Sequence, residues 1–534
     1  MRLTFLSALL SGGVLAATSA QAALPTYTYQ LQARANLRGN PSGAFNLEPG
    51  NLLPGSYRVP LTADRQLAFR LSITPEGQRA VWWGQDGVGQ RIYLLPKELG
   101  EDVSAGDPEL NAAGALAFAV SGGLRDNGVY LLNVQRPDQV RILKEPYGIS
   151  SWSSLALNDA GQIAFRASFS SQGQAHVVLT PQGSDYVPRY LVREQGLDSA
   201  SPFTYLYSPG FNERGQMAGA GDVAAPGAGS QELHIWTPGE ASRRIAVTQA
   251  LDATSPLFRI ASVQPALSGT GQVAFLATVK TATGANASAL YLWDGARLRL
   301  LAQDGVGEVQ KLEIFPPDIN DRGMVVFRAF DSAGLRAVWV SDGEVARRVV
   351  TEHDLVDTDL GPGRLDQEKT SVPVFGGSPT LNARGDITFV AGVTPPDDDQ
   401  VEWGTGIFVA RAEWPAEPDA GTGEPDAGPG EPDAGELPDA GELPDAGEAP
   451  DAGPGELPDA GEAPDAGPGP DAGTPGTPDA GGDEGGPIVV SPLPGGEVPE
   501  AGCGCQSAGP GALASWLLVG GAWLRARRRR LPRD

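Results

Sequence analysis

Three histidines and two cysteines in 534 residues leave few places for acid–base, metal or thiol chemistry. The densest is Glu352-His353-Asp354, followed by Asp357, Asp359 and Asp366, where one imidazole stands among several carboxylates. Imidazole titrates near neutrality and ligates divalent metals, so this stretch is the best single candidate for an acid–base or metal site. Asp102, Asp198, Asp252 and Asp304 follow the last strand of their repeats in a comparable place. If those loops and that of Asp354 share one face, Asp102, Asp198, Asp252, Asp304 and Asp354 make a carboxylate ring suited to cations or cationic sugars, with His353 beside it. The plainer expectation is that aspartate simply suits polar loops.

Other candidates read as structure. His176 and His234 lie on third strands, where imidazoles are commonly half-buried. Trp236, Trp293 and Trp339 hold similar positions and suit the wedge between sheets, whereas Trp82, Trp83 and Trp152 are looser candidates for a carbohydrate platform. Asp318, Asn320, Asp321 and Gly323 imitate a calcium loop but lack its downstream glutamate, so they read as a turn. No G-x-S-x-G, H-E-x-x-H or P-loop is present. No catalytic residue, metal centre or cofactor is assigned, and binding is favoured over catalysis.

The elements that must position these residues follow from one recurring phrase, Leu-Asn-x-x-Gly followed by Val/Ile/Leu-Ala-Phe. It is clearest at Leu110–Phe118 and Leu157–Phe165. Weaker copies start at Phe211, Leu267, Ile319 and Leu381, and a worn one spans Leu61–Phe69 with Arg65 in place of glycine. The spacing of 47 to 62 residues marks an array of supersecondary units. Each unit holds four short strands with period-two apolar stripes and Asn/Gly turns. Seven such units predict an all-β, seven-bladed β-propeller of four-stranded antiparallel blades. The seventh unit lacks a fourth strand, and the alternating segment Tyr27–Arg34 is predicted to supply it.

The ends read differently. Arg2, the apolar run Leu3–Ala17 and Ala20-Gln21-Ala22 form a signal peptide over residues 1–22. The propeller body, 23–414, has 42 acidic and 32 basic residues, and residues 415–502 have 22 acidic and none basic. Neither part suits phosphate backbones, so no nucleic-acid partner is expected. Ten Pro-Asp-Ala-Gly units make 415–502 a disordered acidic stalk. In 503–534, Cys503 and Cys505 precede a short apolar helix, Ala512–Leu524, and an arginine cluster. This end resembles the MYXO-CTERM sorting signal of myxobacterial surface proteins. The resemblance implies a sorting protease acting near Cys503 or Cys505, lipid attachment at a cysteine, and display at the cell surface or outer membrane. The alternative is a plain membrane anchor. The body resembles bacterial secreted repeat proteins with Leu-Asn-x-x-Gly-x-Val-Ala-Phe blades, most without an assigned activity. The leading expectation is a surface-tethered, non-catalytic module that binds a polysaccharide or an envelope protein. The rival is an exported hydrolase or lyase acting on a polymer at the central channel.

Overall fold

Alternation sends neighbouring side chains of each second strand into two different cores. In Ile163–Phe169, Ile163, Phe165 and Ala167 pack toward the preceding sheet, while Ala164 packs toward the following one. Both faces are therefore covered, and the Val-Ala-Phe phrase places large residues in one seam and alanine in the other. The computed structural model describes residues 24–415 apart from 37–43, 49–50, 54–57, 74–76, 101–102, 145–148, 150, 171, 226–228 and 368–372. The expected signal peptide, Asp102, the expected acidic stalk, Cys503, Cys505 and the expected C-terminal helix lie outside the described residues.

The chain makes seven antiparallel sheets, blades 1 to 7 of a β-propeller. Blade 3 shows the plan: Ser151–Leu157, Ile163–Phe169, Gly173–Gln182 and Asp185–Arg193, each paired with the next. In blades 4, 5 and 6 the innermost strand comes in two pieces, such as Phe203–Leu206 and Gly210–Phe211, both paired with Met217–Val223. Blade 7 is completed as expected, since Thr26–Ala35 pairs with Gly404–Glu413 and Tyr29 sits opposite Ala410. A bulge between Leu31 and Ala33 ends the alternation there, and Leu31 to Ala35 are all buried. Among the described residues the only helix is a 3-10 turn, Lys97–Leu99, and no helix is long and apolar enough to cross a membrane.

The motif asparagine does two jobs. Its Oδ1 closes the local turn: Asn111 accepts from the N–H groups of Ala113 and Ala115. Its Nδ2 donates to the backbone carbonyl of the equivalent residue one blade on. Asn111 reaches Asn158 O at 3.0 Å, Asn158 reaches Asn212 O at 3.3 Å, and Asn212 reaches Ser268 O at 2.9 Å. Asn320 reaches Asn382 O at 3.1 Å and Asn382 reaches Thr62 O at 3.0 Å. This belt is interrupted where Ser268 and Thr62 replace asparagine. Their hydroxyls keep the local turn bond, but the amide donor is missing. Each buried bond contributes about 1 kcal/mol, so the belt joins blades as well as shaping turns.

Arg65 explains the worn first copy. It takes the left-handed conformation its glycine counterparts use, φ +62°, at a cost of about 1–2 kcal/mol. Its Nε donates to buried Asp386 of blade 7 at 2.9 Å, which offsets the strain at the closing seam.

Candidate functional site

The proposed carboxylate ring separates into three structural positions. Asp304 matches Glu194, Thr248 and Glu352, because the backbone N–H of each donates to the start of the third strand of its own blade. Its two oxygens accept from Ser288 N at 2.9 Å and Leu312 N at 2.7 Å, the second in the next blade. Glu194 clamps Gln174 N and Leu206 N in the same way. Asp198 and Asp252 lie four residues further along and cap short turns, at Ala200 N and at Thr254. Asp354 accepts from Thr351 N at 2.7 Å. Among the described residues no hydrogen bond or ion pair joins Asp198, Asp252, Asp304 and His353 to one another. Asp304 and Asp354 are read more simply as clamps on backbone amides than as members of a free ring.

The His353 loop is also largely committed. Glu352, His353 and Asp366 bring one ligand atom each within 4.8 Å of one another. However, Arg364 lies 2.8 Å from the Asp366 oxygen that His353 approaches at 3.4 Å, and a guanidinium there competes with any metal ion. Asp359 is the bidentate partner of buried Arg34. His176 is buried, its Nε2 donates to Tyr207 O at 2.9 Å, and burial lowers its pKa to about 3. His234 bridges Glu232 and Ser242. Asp321 accepts from Gly269 N of the preceding blade, consistent with a structural turn. Trp82 is buried and stacks on Phe69, so it is no carbohydrate platform; Trp83 and Trp152 are half-buried against neighbouring blades. Trp236 and Trp339 fill the interior as expected.

Carboxylates do converge elsewhere, near the axis. The short inner segments of successive blades abut one another around it. There Arg58 lies 3.2 Å from Asp318 of blade 6, and Arg70 lies 2.9 Å from Asp107 of blade 2. Burial pushes the Asp107 carboxyl up to about 6, against the pull of Arg70. It pushes Glu109 up to about 7, against Arg58. Glu109 accepts no hydrogen bond among the described residues. Glu109 and Asp318 share one place in the repeat, just before the motif Leu or Ile, where other blades carry Ala156, Gly210, Ala266 and Thr380. Comparing that one column of the repeat would have found them; the search for histidine-containing clusters missed them.

The second concavity is a groove of about 790 Å³ on the outer flank of blade 3, facing blade 4. Thr180, Val187, Arg189, Tyr190, Arg193 and Asp198 line it, and Pro238 of blade 4 closes one side. The Arg193 guanidinium lies 4.3 Å from the Tyr190 ring centre, a cation–π distance. Asp198, from the expected ring, lines this cavity. The groove coincides with the smallest apolar seam. Blades 3 and 4 meet through Ala164, Val178, Phe203, Leu206, Met217 and Trp236, with only partly buried residues around them.

A protein family described only as a family of unknown function (DUF7453) matches residues 102–362, just under half of the chain. No curated protein matches the sequence. Among solved structures, a protein described as a putative TolB from Agrobacterium tumefaciens is 12% identical, with a TM-score of 0.33, covering 65% of this chain and 98% of that one. A puromycin hydrolase mutant is 14% identical, with a TM-score of 0.41, covering 69% of this chain and 57% of that one. An ulvan lyase of a polysaccharide lyase family is 11% identical, with a TM-score of 0.36, covering 72% of this chain and 96% of that one. Likeness at this level carries no functional information.

Proposed function

We propose that the protein is an exported, surface-tethered binding module whose ring holds a polysaccharide of the cell envelope or its surroundings, without catalysis. The tethering half of this reading rests on the signal peptide, the acidic stalk and the Cys503/Cys505 segment. A sorting protease and a lipid or membrane contact are the partners that segment implies. The binding half rests on one observation: the groove beside blade 3 brings the Arg189 guanidinium, the Asp198 carboxylate and the Thr180 hydroxyl together beside apolar Val187 and Pro238. Sugar-binding sites use that mixture, because apolar side chains cover C–H patches while polar groups read hydroxyls. Of the loop carboxylates weighed for catalysis, Glu352 and Asp354 accept from backbone amides, and Asp359 and Asp366 pair with arginines.

The test is retention of the full-length chain on a panel of insoluble and immobilised polysaccharides. Retention that weakens in Asp198→Ala supports the reading. Failure of every polysaccharide to retain the protein, or equal retention of the variant, would overturn it.

A second reading, an exported hydrolase or lyase, has one observation in its favour. Glu109 is held near neutrality beside Asp107, as a proton-transferring carboxyl would be. It predicts polymer cleavage that disappears in Glu109→Gln.

A further inference from the structure

The outer strands of six blades carry a long polar side chain at one repeat-equivalent position. Opposite Val178, Ile235, Leu292 and Val340 of the third strands stand Arg189, Arg243, Arg299 and Arg347; opposite Val409 stands Gln30, and opposite Trp83 stands Gln90. In four cases the side chain bolts its blade to the next. Arg243 donates to Gly295 O at 2.6 Å and Arg299 to Gly343 O at 2.7 Å. Arg347 donates to Leu24 O at 3.1 Å, and Gln30 to Asp86 O at 2.9 Å. Two do not: Gln90 of blade 1 and Arg189 have no side-chain partner among the described residues, and Arg189 is the one arginine of the set left unbolted. The cause lies in blade 4. The third and fourth strands there end at Trp236 and resume at Arg243, with Pro238 in a longer turn. In blade 5 they run from Trp293 to Leu298, and in blade 6 from Ser341 to Ala346. The acceptor that other blades offer is displaced, and the space it leaves is the groove that Arg189 and Pro238 line.

We infer that this groove takes an anionic polysaccharide, with Arg189 receiving a sugar carboxylate in place of the missing carbonyl. The inference rests on the groove being the binding site. An unpaired guanidinium in a concavity offers a planar pair of donors that fits a carboxylate bidentately. Asp198 opposes a uniformly anionic chain but accepts hydroxyl protons, so carboxylates must alternate with hydroxyls, as they do along a uronic-acid polymer. An acidic peptide fits less well. It would add to the free edge of the outer strand, where Pro188 removes an N–H from the ladder.

The experiment compares retention of the full-length chain on uronate polysaccharides, on their methyl esters and on poly-glutamate, for wild type, Arg189→Ala and Arg243→Ala. Expected are preference for the uronate over its ester, weakening with salt, and roughly tenfold weaker binding in Arg189→Ala. Arg243→Ala should bind as wild type does. Because Arg189 is unpartnered, its variant should melt with the wild type, which separates lost binding from lost folding. Equal retention on acid and ester, or an unaffected Arg189→Ala, overturns the anionic assignment while leaving a neutral-glycan groove standing. Retention on poly-glutamate with the same Arg189 dependence overturns the glycan. Retention on nothing overturns both the assignment and the groove.

Discussion

The seam between blades 3 and 4 and the seam between blades 4 and 5 are built from the same repeat yet differ in almost every contact. The latter buries Leu233, Ile235, Leu257, Val273, Phe275 and eleven further apolar residues, and Arg243 bolts its rim across Trp293. The former buries six, and its arginine hangs free. Both share the inner asparagine bond, from Asn158 to Asn212 and from Asn212 to Ser268. These two seams thus share their inner bond and differ at the rim. The inner bond joins blades 3 and 4 although their rim is left open.

Four perturbations would break or sharpen that contrast. The largest is Phe275→Ala in the well-filled seam, expected to cost about 3–5 kcal/mol in denaturant unfolding. Val178→Ala in the sparse seam should cost about 1–2 kcal/mol, and a reversed order would show that the seams are equally packed. Next is Asn212→Ala, which removes the belt bond and the turn bonds together. A loss of about 2 kcal/mol is expected, and less than 0.5 would mean that the belt holds nothing. Third is the pH dependence of the axis. Glu109 binds its proton more tightly folded than unfolded, so stability should fall as pH rises from about 4.5 toward 7. Glu109→Gln should flatten that slope by on the order of 1 kcal/mol, leaving the part that Asp107 contributes. The smallest is a gain: Ser268→Asn should restore a belt donor toward Asn320 and stabilise by about 0.5 kcal/mol, read as a rise in Tm.

The repeat phrase was enough to read blade number, strand order and ring closure, because alternation and turn chemistry are local properties. The reach of Asn111 to Asn158 O was not legible, since the acceptor lies 47 residues on and depends on blade rotation. Asp304 and Asp198 look alike in sequence. Only strand register separates the clamp from the turn cap four residues later. The free state of Arg189 was hidden for a related reason. The arginine itself recurs visibly at Arg243, Arg299 and Arg347, but whether it is bolted depends on the turn length of the following blade. The paired inner segments left another trace: Phe203 and Leu206, like Leu257 and Ile260, stand three apart rather than two, the signature of a bulged strand.

Closure by Thr26–Ala35 ties the beginning of the body to strand Gly404–Glu413, which is synthesised more than 360 residues later. Until that late strand emerges, Leu31 to Ala35, a run destined for complete burial, has an unmatched edge that other chains could pair with. The last blade therefore cannot close before the whole body has been made, so ring closure is the step that only a complete body can take.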